Sequence, residues 1–178
     1  MPGLYYSLMG AIEMKKFILT ILVIALCFFL LACNGSKESI KVTTYRNDEY
    51  GISLKYPSSW KPNKAYMPER YEGSDGFFQF VAVAGGQSSI DEVASWDANH
   101  KLKPYGSKPT IEKLTISGQE ARLIQPSEDQ PFEMNGQVGL IIKYPNPIRI
   151  NEEMYGYFEL WSDKEHIRSI GETIKFIR

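Results

Sequence analysis

"FFQFVAVA" at residues 77–84 and "GGQSSIDEV" at residues 85–93 decide the fold class. Apolar side chains occupy both alternating faces of the first segment, which predicts a central β-strand that is covered on both sides. The glycine pair that opens the second segment breaks this strand. Ser89 and Glu92 then have the spacing of a capping box, so we expect a helix of about three turns that ends before Pro104.

Strand-and-turn patterns flank this central unit on both sides. Residues 41–56 carry two β-rich segments separated by the turn "NDEYG", and they predict a hairpin. Residues 110–125 predict a second hairpin around a Ser-Gly pair. Two further strands are predicted at 137–145 and 155–162. Because hairpin-length links dominate, we expect a mainly antiparallel sheet.

The remaining segments are a long link and a closing helix. Residues 57–76 contain three prolines and two glycines without a regular period, and we interpret them as a long loop. Ser162 and Glu165 have capping-box spacing, and they precede a stripe of isoleucines at 167, 170, 174 and 177 that predicts an amphipathic helix docked on the sheet. The element order, β-β-loop-β-α-β-β-β-β-α, indicates a single layered α+β domain over residues 41–178.

The N-terminal segment predicts export and attachment to a membrane. Phe17 to Leu31 is a run of 15 residues, nearly all apolar, preceded by Lys15 and Lys16. It is short for a bilayer span and typical of the core of a secretory signal. Leu30-Leu31-Ala32-Cys33 resembles a bacterial lipobox. This resemblance implies that a signal peptide at 14–32 is removed and that Cys33 receives a diacylglycerol.

An uncleaved anchor helix with an incidental cysteine is the alternative to this interpretation. Met14-Lys15-Lys16 is a normal opening for a signal peptide, so translation is expected to start at Met14 and residues 1–13 to be a mis-annotated start. Residues 33–40 form a short polar tether. The expected location is therefore the extracytoplasmic face of the cell membrane, with the lipid on Cys33 as the anchor.

Charge and cysteine usage exclude some classes of partner. The whole chain has a net charge of −1, and without Glu13, Lys15 and Lys16 the mature part has −2. A nucleic-acid partner is not expected, because it would require a basic surface. Once Cys33 carries lipid, no cysteine remains to form a disulfide, so the domain must be stabilised by its core alone.

"YGISLKYPSSW" at residues 50–60 resembles the opening of Mog1/PsbP-like domains, in which a strand ends in Tyr-Pro and a Trp follows. The hairpin that turns at Gly118 and the closing amphipathic helix also resemble that layout. The resemblance implies an α/β/α sandwich with a mainly antiparallel sheet, a layout found in many bacterial lipoproteins.

A second resemblance covers most of residues 50–177. "YPSSWKPNKAY", "EGSDGFFQ", "HKLKPYGSKPTIE", "GQEARLI" and "YFELWSDKEHI" are similar to extracytoplasmic domains attached to some Firmicute membrane metallopeptidases of the β-lactam-sensor type. The zinc motif of those peptidases is absent from this chain, so the resemblance implies no peptidase activity. It implies an accessory, sensing or binding domain.

No catalytic, metal or cofactor motif is recognised. Asp97 with His100, and Asp163 with His166, are spaced i, i+3 on the predicted helices, but each pair offers two ligands where zinc requires three or four. The four could meet if the two helices packed side by side; otherwise both histidines are surface residues. Ser88 and Ser89 follow two glycines, but the lysine of a phosphate-binding loop is missing. We therefore expect no metal, no cofactor and no enzymatic activity.

The remaining candidate for binding is the aromatic and basic segment at 61–76. Tyr66, Arg70 and Tyr71 combine large ring faces with a planar cation, which suits a glycan, peptide or lipid-headgroup ligand. The alternative is a loop that its own tyrosines pin to the sheet. Trp60 is expected in the core. A second basic and aromatic stretch with a weaker claim comprises Lys101, Lys103, Tyr105 and Lys108.

These observations predict a membrane-anchored extracytoplasmic lipoprotein that acts as a non-enzymatic binding or accessory module of the cell envelope. Its expected partners are the membrane, through Cys33, and a protein or envelope ligand. Two alternatives stay open. One is a cryptic cell-envelope hydrolase, and the other is a structural subunit that docks on a membrane protein.

Overall fold

The structure of the chain is a computed structural model, and it describes residues 40–66, 68–134 and 136–177. The predictions for the assigned start, the signal peptide, Cys33 and the tether up to residue 39 lie outside the described residues. The strands and helices are β1 Val42–Asn47, β2 Ile52–Pro57, β3 Lys61–Asn63, β4 Arg70–Glu72, β5 Phe77–Val83, α1 Ile90–Ala98, β6 Thr110–Ile116, β7 Gln119–Gln125, a 3₁₀ turn Phe132–Met134, β8 Gln137–Ile150, β9 Glu153–Asp163, α2 Ile167–Gly171 and β10 Lys175–Phe176.

Seven of the described strands form one sheet in the order β3-β4-β5-β9-β8-β7-β6, and three form a smaller sheet in the order β1-β2-β10. Every neighbouring pair in both sheets is antiparallel. The predicted mainly antiparallel sheet is therefore confirmed. The hairpins at 41–56 and 110–125 are also confirmed, with Ser117 and Gly118 both at positive φ in the second turn, as a tight hairpin turn requires.

Helix α1 begins where the capping box predicts. The Ser89 hydroxyl accepts a hydrogen bond from the Glu92 backbone N–H, and the Glu92 carboxylate accepts one from the Ser89 N–H at 2.7 Å. Buried residues of α1 pack with Ile124 and Ile141 on one face of the seven-stranded sheet. This contact covers one side of the central strands, as the apolar pattern of β5 requires.

The other face of the large sheet is covered by the small sheet together with α2. Here the structure differs from the expected α/β/α sandwich, because α2 has five residues and most of this layer is β-structure. Aromatic rings fill much of the space between the two sheets. Tyr45 lies 5.5 Å and Tyr50 5.1 Å from Phe80, and Tyr56 lies 5.0 Å from Phe78, measured between ring centroids.

The closing helix is shorter than the isoleucine stripe predicts. It ends at Gly171, although Ile174 is as deeply buried as Ile167 and Ile170. The last residues bond to β2 instead: the Thr173 hydroxyl accepts a hydrogen bond from the Lys55 N–H at 2.8 Å, and β10 pairs with β2. The stripe predicted burial correctly, but backbone pairing with a distant strand determined the conformation.

The predicted second capping box does not form. Ser162 lies inside β9, fully buried, and its hydroxyl donates to the carbonyl of Phe77 on the neighbouring strand β5. Helix α2 begins after His166, which makes no side-chain capping bond. The predicted long loop at 57–76 is also wrong in part, because it contains strands β3 and β4. Their pairing extends the large sheet beyond β5.

Candidate functional site

The β3–β4 hairpin separates the side chains of the predicted binding segment. Asn63 pairs with Arg70, and Pro62 pairs with Tyr71. Because side chains alternate along a strand, the two neighbours Arg70 and Tyr71 lie on opposite faces of the hairpin. The structure therefore does not bring Tyr66, Arg70 and Tyr71 together as one surface.

Tyr71 joins the aromatic layer between the two sheets. Its ring stacks on Phe78 at 5.0 Å with an interplanar angle of 6°, and it meets Tyr45 and Tyr56 edge-on, each at 5.3 Å. Burial, with a further effect from the Glu69 carboxylate, raises the pKa of Tyr71 to about 12. This side chain stabilises the fold, as the pinned-loop alternative expected for the tyrosines.

Tyr66 and Arg70 do come together. The Arg70 guanidinium lies over the ring of Phe77 at 3.5 Å and over the ring of Tyr66 at 5.0 Å. The Tyr66 side chain is 41% exposed. We call this surface, formed by Tyr66, Arg70, Glu72 and Phe77, the Tyr66–Arg70 platform.

The charge of Arg70 is balanced inside the platform. Arg70 Nε lies 2.8 Å from Glu72 Oε2, and the other Glu72 oxygen accepts a hydrogen bond from Asn63 Nδ2 at 2.8 Å. Gln79 Nε2 donates to the Pro68 carbonyl at 2.7 Å and ties the hairpin link to β5. A free anion would have to compete with Glu72, so the platform is better suited to the flat face of a ring than to an isolated phosphate.

A polar cluster anchors the far end of the hairpin. Trp60 is buried, as predicted, and its indole N–H donates to Asp75 Oδ1 at 2.7 Å. The His166 ring lies edge-on to Trp60 at 4.9 Å, and its Nδ1 lies 2.8 Å from Asp163 Oδ1. A β-carbon on Gly76 would lie 2.2 Å from Asp163 Oδ2, so any other residue there requires the Asp163 and His166 side chains to shift. We call this set the Trp60–His166 cluster.

The four residues considered for a metal are not brought together. Asp97 lies on α1, which packs on one face of the large sheet, whereas Asp163 and His166 flank α2 on the other side. His100 is exposed. Within the described ranges, no group of three or more His, Cys, Asp or Glu side chains is arranged to hold a metal ion.

The second basic and aromatic stretch is divided as well. Tyr105 is completely buried, and its hydroxyl donates to Asp97 Oδ2 at 2.7 Å while it accepts from Trp161 Nε1 at 3.1 Å. Lys101, Lys103 and Lys108 are exposed. Tyr105 therefore belongs to the core under α1 and is not available as a ligand-binding ring.

Sequence reasoning missed a buried carboxyl group in the middle of β9. Glu159 is 4% exposed and lies under α1 beside Asp97. Its Oε1 has no hydrogen-bond partner among the described residues. Burial, followed by the charge of Asp97, raises the pKa of Glu159 well above its usual value. The one available signal was a glutamate within the apolar strand "YGYFELWS".

Arg122 is a second buried ionisable residue on the same face. It pairs across β7 and β8 with Ile141, which in turn pairs with Glu159. Arg122 Nε lies 2.5 Å from Asp91 Oδ1, and this contact holds the pKa of Asp91 down at about 2. Helix α1 is thus held to the sheet near its start by Asp91, which also pairs with Lys113 at 3.3 Å.

No protein-family model and no curated protein matches this chain. Among solved structures, the chain is similar to the solution structure of cyanobacterial PsbP (CyanoP) from Synechocystis sp. PCC 6803, with 10% sequence identity and a TM-score of 0.41. The comparison covers 80% of this chain and 96% of that one. It concerns the fold and nothing beyond it. Among the described residues, no helix has the length and apolar character needed to cross a bilayer.

Proposed function

We propose that this chain is a membrane-anchored extracytoplasmic lipoprotein that serves as a non-enzymatic binding or accessory module of the cell envelope. The observation that carries the proposal is the lipobox-like Leu30-Leu31-Ala32-Cys33 at the end of a 15-residue apolar run that follows a basic pair. The chemistry requires a nucleophilic sulfur and a small residue before it that admits the peptidase. Both are present at the border where the chain becomes polar.

Attachment through Cys33 would hold the domain at the membrane. One acyl chain gives only marginal, reversible binding, since each buried CH₂ contributes about 0.8 kcal/mol. A diacylglycerol on the thiol, with or without an acyl group on the new amine, provides two or three chains. The domain from residue 41 onward would then remain on the extracytoplasmic surface.

The anchor is tested by expressing the chain in a Gram-positive host and comparing wild type with Cys33→Ala. We expect the wild type to enter the detergent phase and to show the mass of an acylated chain that begins at Cys33, and the variant to do neither. Cys27→Ala is the matched control, because Cys27 lies inside the apolar run and leaves with the signal. An unmodified Cys33 still joined to Ala32 in the wild type would contradict the proposal.

The binding role is assigned to the Tyr66–Arg70 platform. Its support is the half-exposed Tyr66 ring beside a guanidinium that Glu72 and Phe77 hold in place. A side chain already fixed by its neighbours loses little conformational freedom when a ligand binds. The platform is therefore proposed to stack against a ring-bearing component of the envelope, such as a sugar.

Retention on isolated cell envelope tests this assignment. Tyr66→Ala should reduce retention several-fold while the melting temperature stays within a few degrees of wild type. Trp96→Ala is the control, since Trp96 is an aromatic residue of α1 that is 60% exposed and lies away from the platform. Equal retention of wild type and Tyr66→Ala would place the binding site elsewhere.

A further inference from the structure

A groove of about 250 Å³ lies where the described chain begins. One wall comes from the end of β2, and the other comes from α2 and the residues beside it. The lining is mostly apolar, and the residues that matter here are Ile40, Val42, Lys55, Pro57, Ser169 and Ile170. We call this the N-terminal groove.

Two aliphatic side chains at the rim are open to water. Ile40 is 64% exposed and Val42 is 56% exposed, although both border an apolar groove that could have covered them. Exposed apolar surface that continues into a concave apolar site marks a place of interaction. The occupant must therefore offer apolar surface of its own.

We infer that the N-terminal groove rests on the bilayer and takes the apolar part of an anionic phospholipid. This inference rests on the proposed lipid anchor at Cys33. Six residues separate Cys33 from Ile40, so Ile40 at the edge of the groove can lie no further than about 25 Å from the acylated residue. The apolar rim is thus the part of the described domain that the anchor keeps nearest to the membrane.

The charges around the groove favour an anionic lipid. Lys55 lines it, and Lys41 is exposed between the two rim residues. No carboxylate is among the described side chains that line it. Basic residues at a membrane surface are attracted to anionic headgroups. A phospholipid would therefore place its acyl chain among Val42, Pro57 and Ile170 and its phosphate near Lys55.

This seating fixes the orientation of the domain. The small sheet and α2 would face the bilayer, whereas α1 lies on the opposite face of the large sheet and would face away. Leu102 lies shortly after the end of α1, is 70% exposed, and would be in water. It therefore provides a matched position for comparison with the groove.

Site-specific fluorescence on the acylated, reconstituted protein tests the inference. The chain has two cysteines; Cys27 leaves with the signal and Cys33 carries lipid, so an introduced cysteine would be the one free thiol. A fluorophore is attached to Ser169→Cys in the groove and, separately, to Leu102→Cys. The vesicles contain phosphatidylglycerol and phosphatidylcholine. We expect a nitroxide lipid to quench the Ser169 label several-fold more than the Leu102 label, and aqueous iodide to do the reverse.

Second substitutions in the labelled Ser169→Cys protein separate the apolar and ionic contributions to lipid binding. Val42→Asp should lower nitroxide quenching of the Ser169 label, whereas Leu102→Asp should not. Lys55→Gln should lower it in vesicles with phosphatidylglycerol and leave it unchanged in pure phosphatidylcholine. These residues are exposed, so each variant is expected to melt like the wild type.

The contrary outcomes are distinct. If the protein pellets with vesicles but iodide quenches both labels equally, the groove faces water, and the inference is wrong while the lipid anchor stands. If Ser169 labels on separate molecules quench one another and nitroxide lipid has no effect, a second copy covers the groove, which also overturns the inference. If Cys33 is unmodified and the protein does not pellet, the proposed function fails and the inference fails with it.

Discussion

Glu159 on β9 is buried under α1, next to Asp97 of that helix. Two carboxylates buried side by side repel each other strongly when both are charged. Burial, followed by the charge of Asp97, raises the pKa of Glu159 well above its usual value. Protonation of Glu159 therefore favours its burial beside the last turn of α1, where no basic residue compensates the helix dipole.

The wild type should lose stability as the pH rises, and Glu159→Gln should prevent this loss. The folded state binds the Glu159 proton more tightly than the unfolded state, so its stabilising effect is complete below the unfolded pKa near 4.5 and is lost as the pH rises through the raised value. The loss is about 1.4 kcal/mol for each pH unit over which the two states differ by one proton. Glutamine keeps the shape and the donor without titrating.

Thermal melts between pH 4 and pH 8 measure this effect. The melting temperature of Glu159→Gln relative to wild type should rise steadily above pH 5. The exposed Glu133 provides the control, and Glu133→Gln should show no such trend. A difference between Glu159→Gln and wild type that does not change with pH would contradict a raised pKa of Glu159 in the folded state.

Asp91→Asn should destabilise the protein at neutral pH and have little effect in strong acid. The Arg122 guanidinium, which is buried, loses its carboxylate partner in this variant. Since the pKa of Asp91 is about 2, its stabilising effect is complete above the unfolded value near 3.8 and is lost as the pH falls through 2. Urea unfolding at pH 7 and at pH 2 should show wild type and variant converging at the lower pH.

Adding Arg122→Met to Asp91→Asn should restore part of the stability at pH 7, because the unpaired buried charge is then removed.

Tyr66→Ala and Tyr71→Ala should differ sharply in their effect on stability. Tyr71 packs against Phe78 and two other rings, so its truncation should cost about 2–4 kcal/mol. Tyr66 is half-exposed and lies outside the packed core, so its truncation should cost no more than about 0.5 kcal/mol. The midpoints of urea unfolding provide the comparison, provided that the free energy of unfolding depends on urea concentration with the same slope in both variants. Equal costs for both tyrosines would mean that Tyr66 also belongs to the packed core.

Gly76→Ala should destabilise the Trp60–His166 cluster. Its new methyl group would overlap Asp163 Oδ2 and His166 Nδ1, at 2.2 and 2.7 Å. Gly86→Ala is the comparison, because nothing lies within 4 Å there and its backbone at φ +55° costs about 1 kcal/mol. Thermal melts should place Gly76→Ala below Gly86→Ala. The reverse order would show that the 73–76 turn can move away without loss.

Chelation should not change the stability of the domain. The expectation of a metal-free fold is tested by melting the processed protein with and without a strong chelator, and the two curves should coincide. A fall of many degrees would reveal a metal that stabilises the folded state.

Local signals in the sequence were sufficient for much of the fold. Alternation along Ile52, Leu54 and Tyr56 predicted β2, and the Ser89–Glu92 spacing predicted the start of α1. These features depend on neighbours within a few residues. Burial of Trp60 and of the isoleucines in the closing segment was also predicted, because apolar side chains are buried whichever backbone conformation carries them.

The candidate site was predictable only in part. Tyr66 and Arg70, which were predicted as part of one binding segment, do lie next to each other. Tyr71 was grouped with them because adjacent residues in a presumed loop have no defined faces. Strands β3 and β4, with three residues each and a proline in β3, carry no readable alternation. Pairing with β5 is what gives the hairpin its two faces and sends Tyr71 into the core.

The sequence by itself therefore determined which segments alternate, where the first helix begins, and which end of the chain has the pattern of a lipoprotein signal. Only the tertiary structure decided that the closing helix stops at Gly171, that Ser162 bonds to Phe77, and that Glu159 lies against Asp97. The physical reason is the distance along the chain between the residues that interact. Propensity, capping and periodicity act over a few residues. The Lys55–Thr173 bond beyond the end of the closing helix, the Ser162–Phe77 bond and the Glu159–Asp97 contact join segments that are 62 to 118 residues apart in the chain.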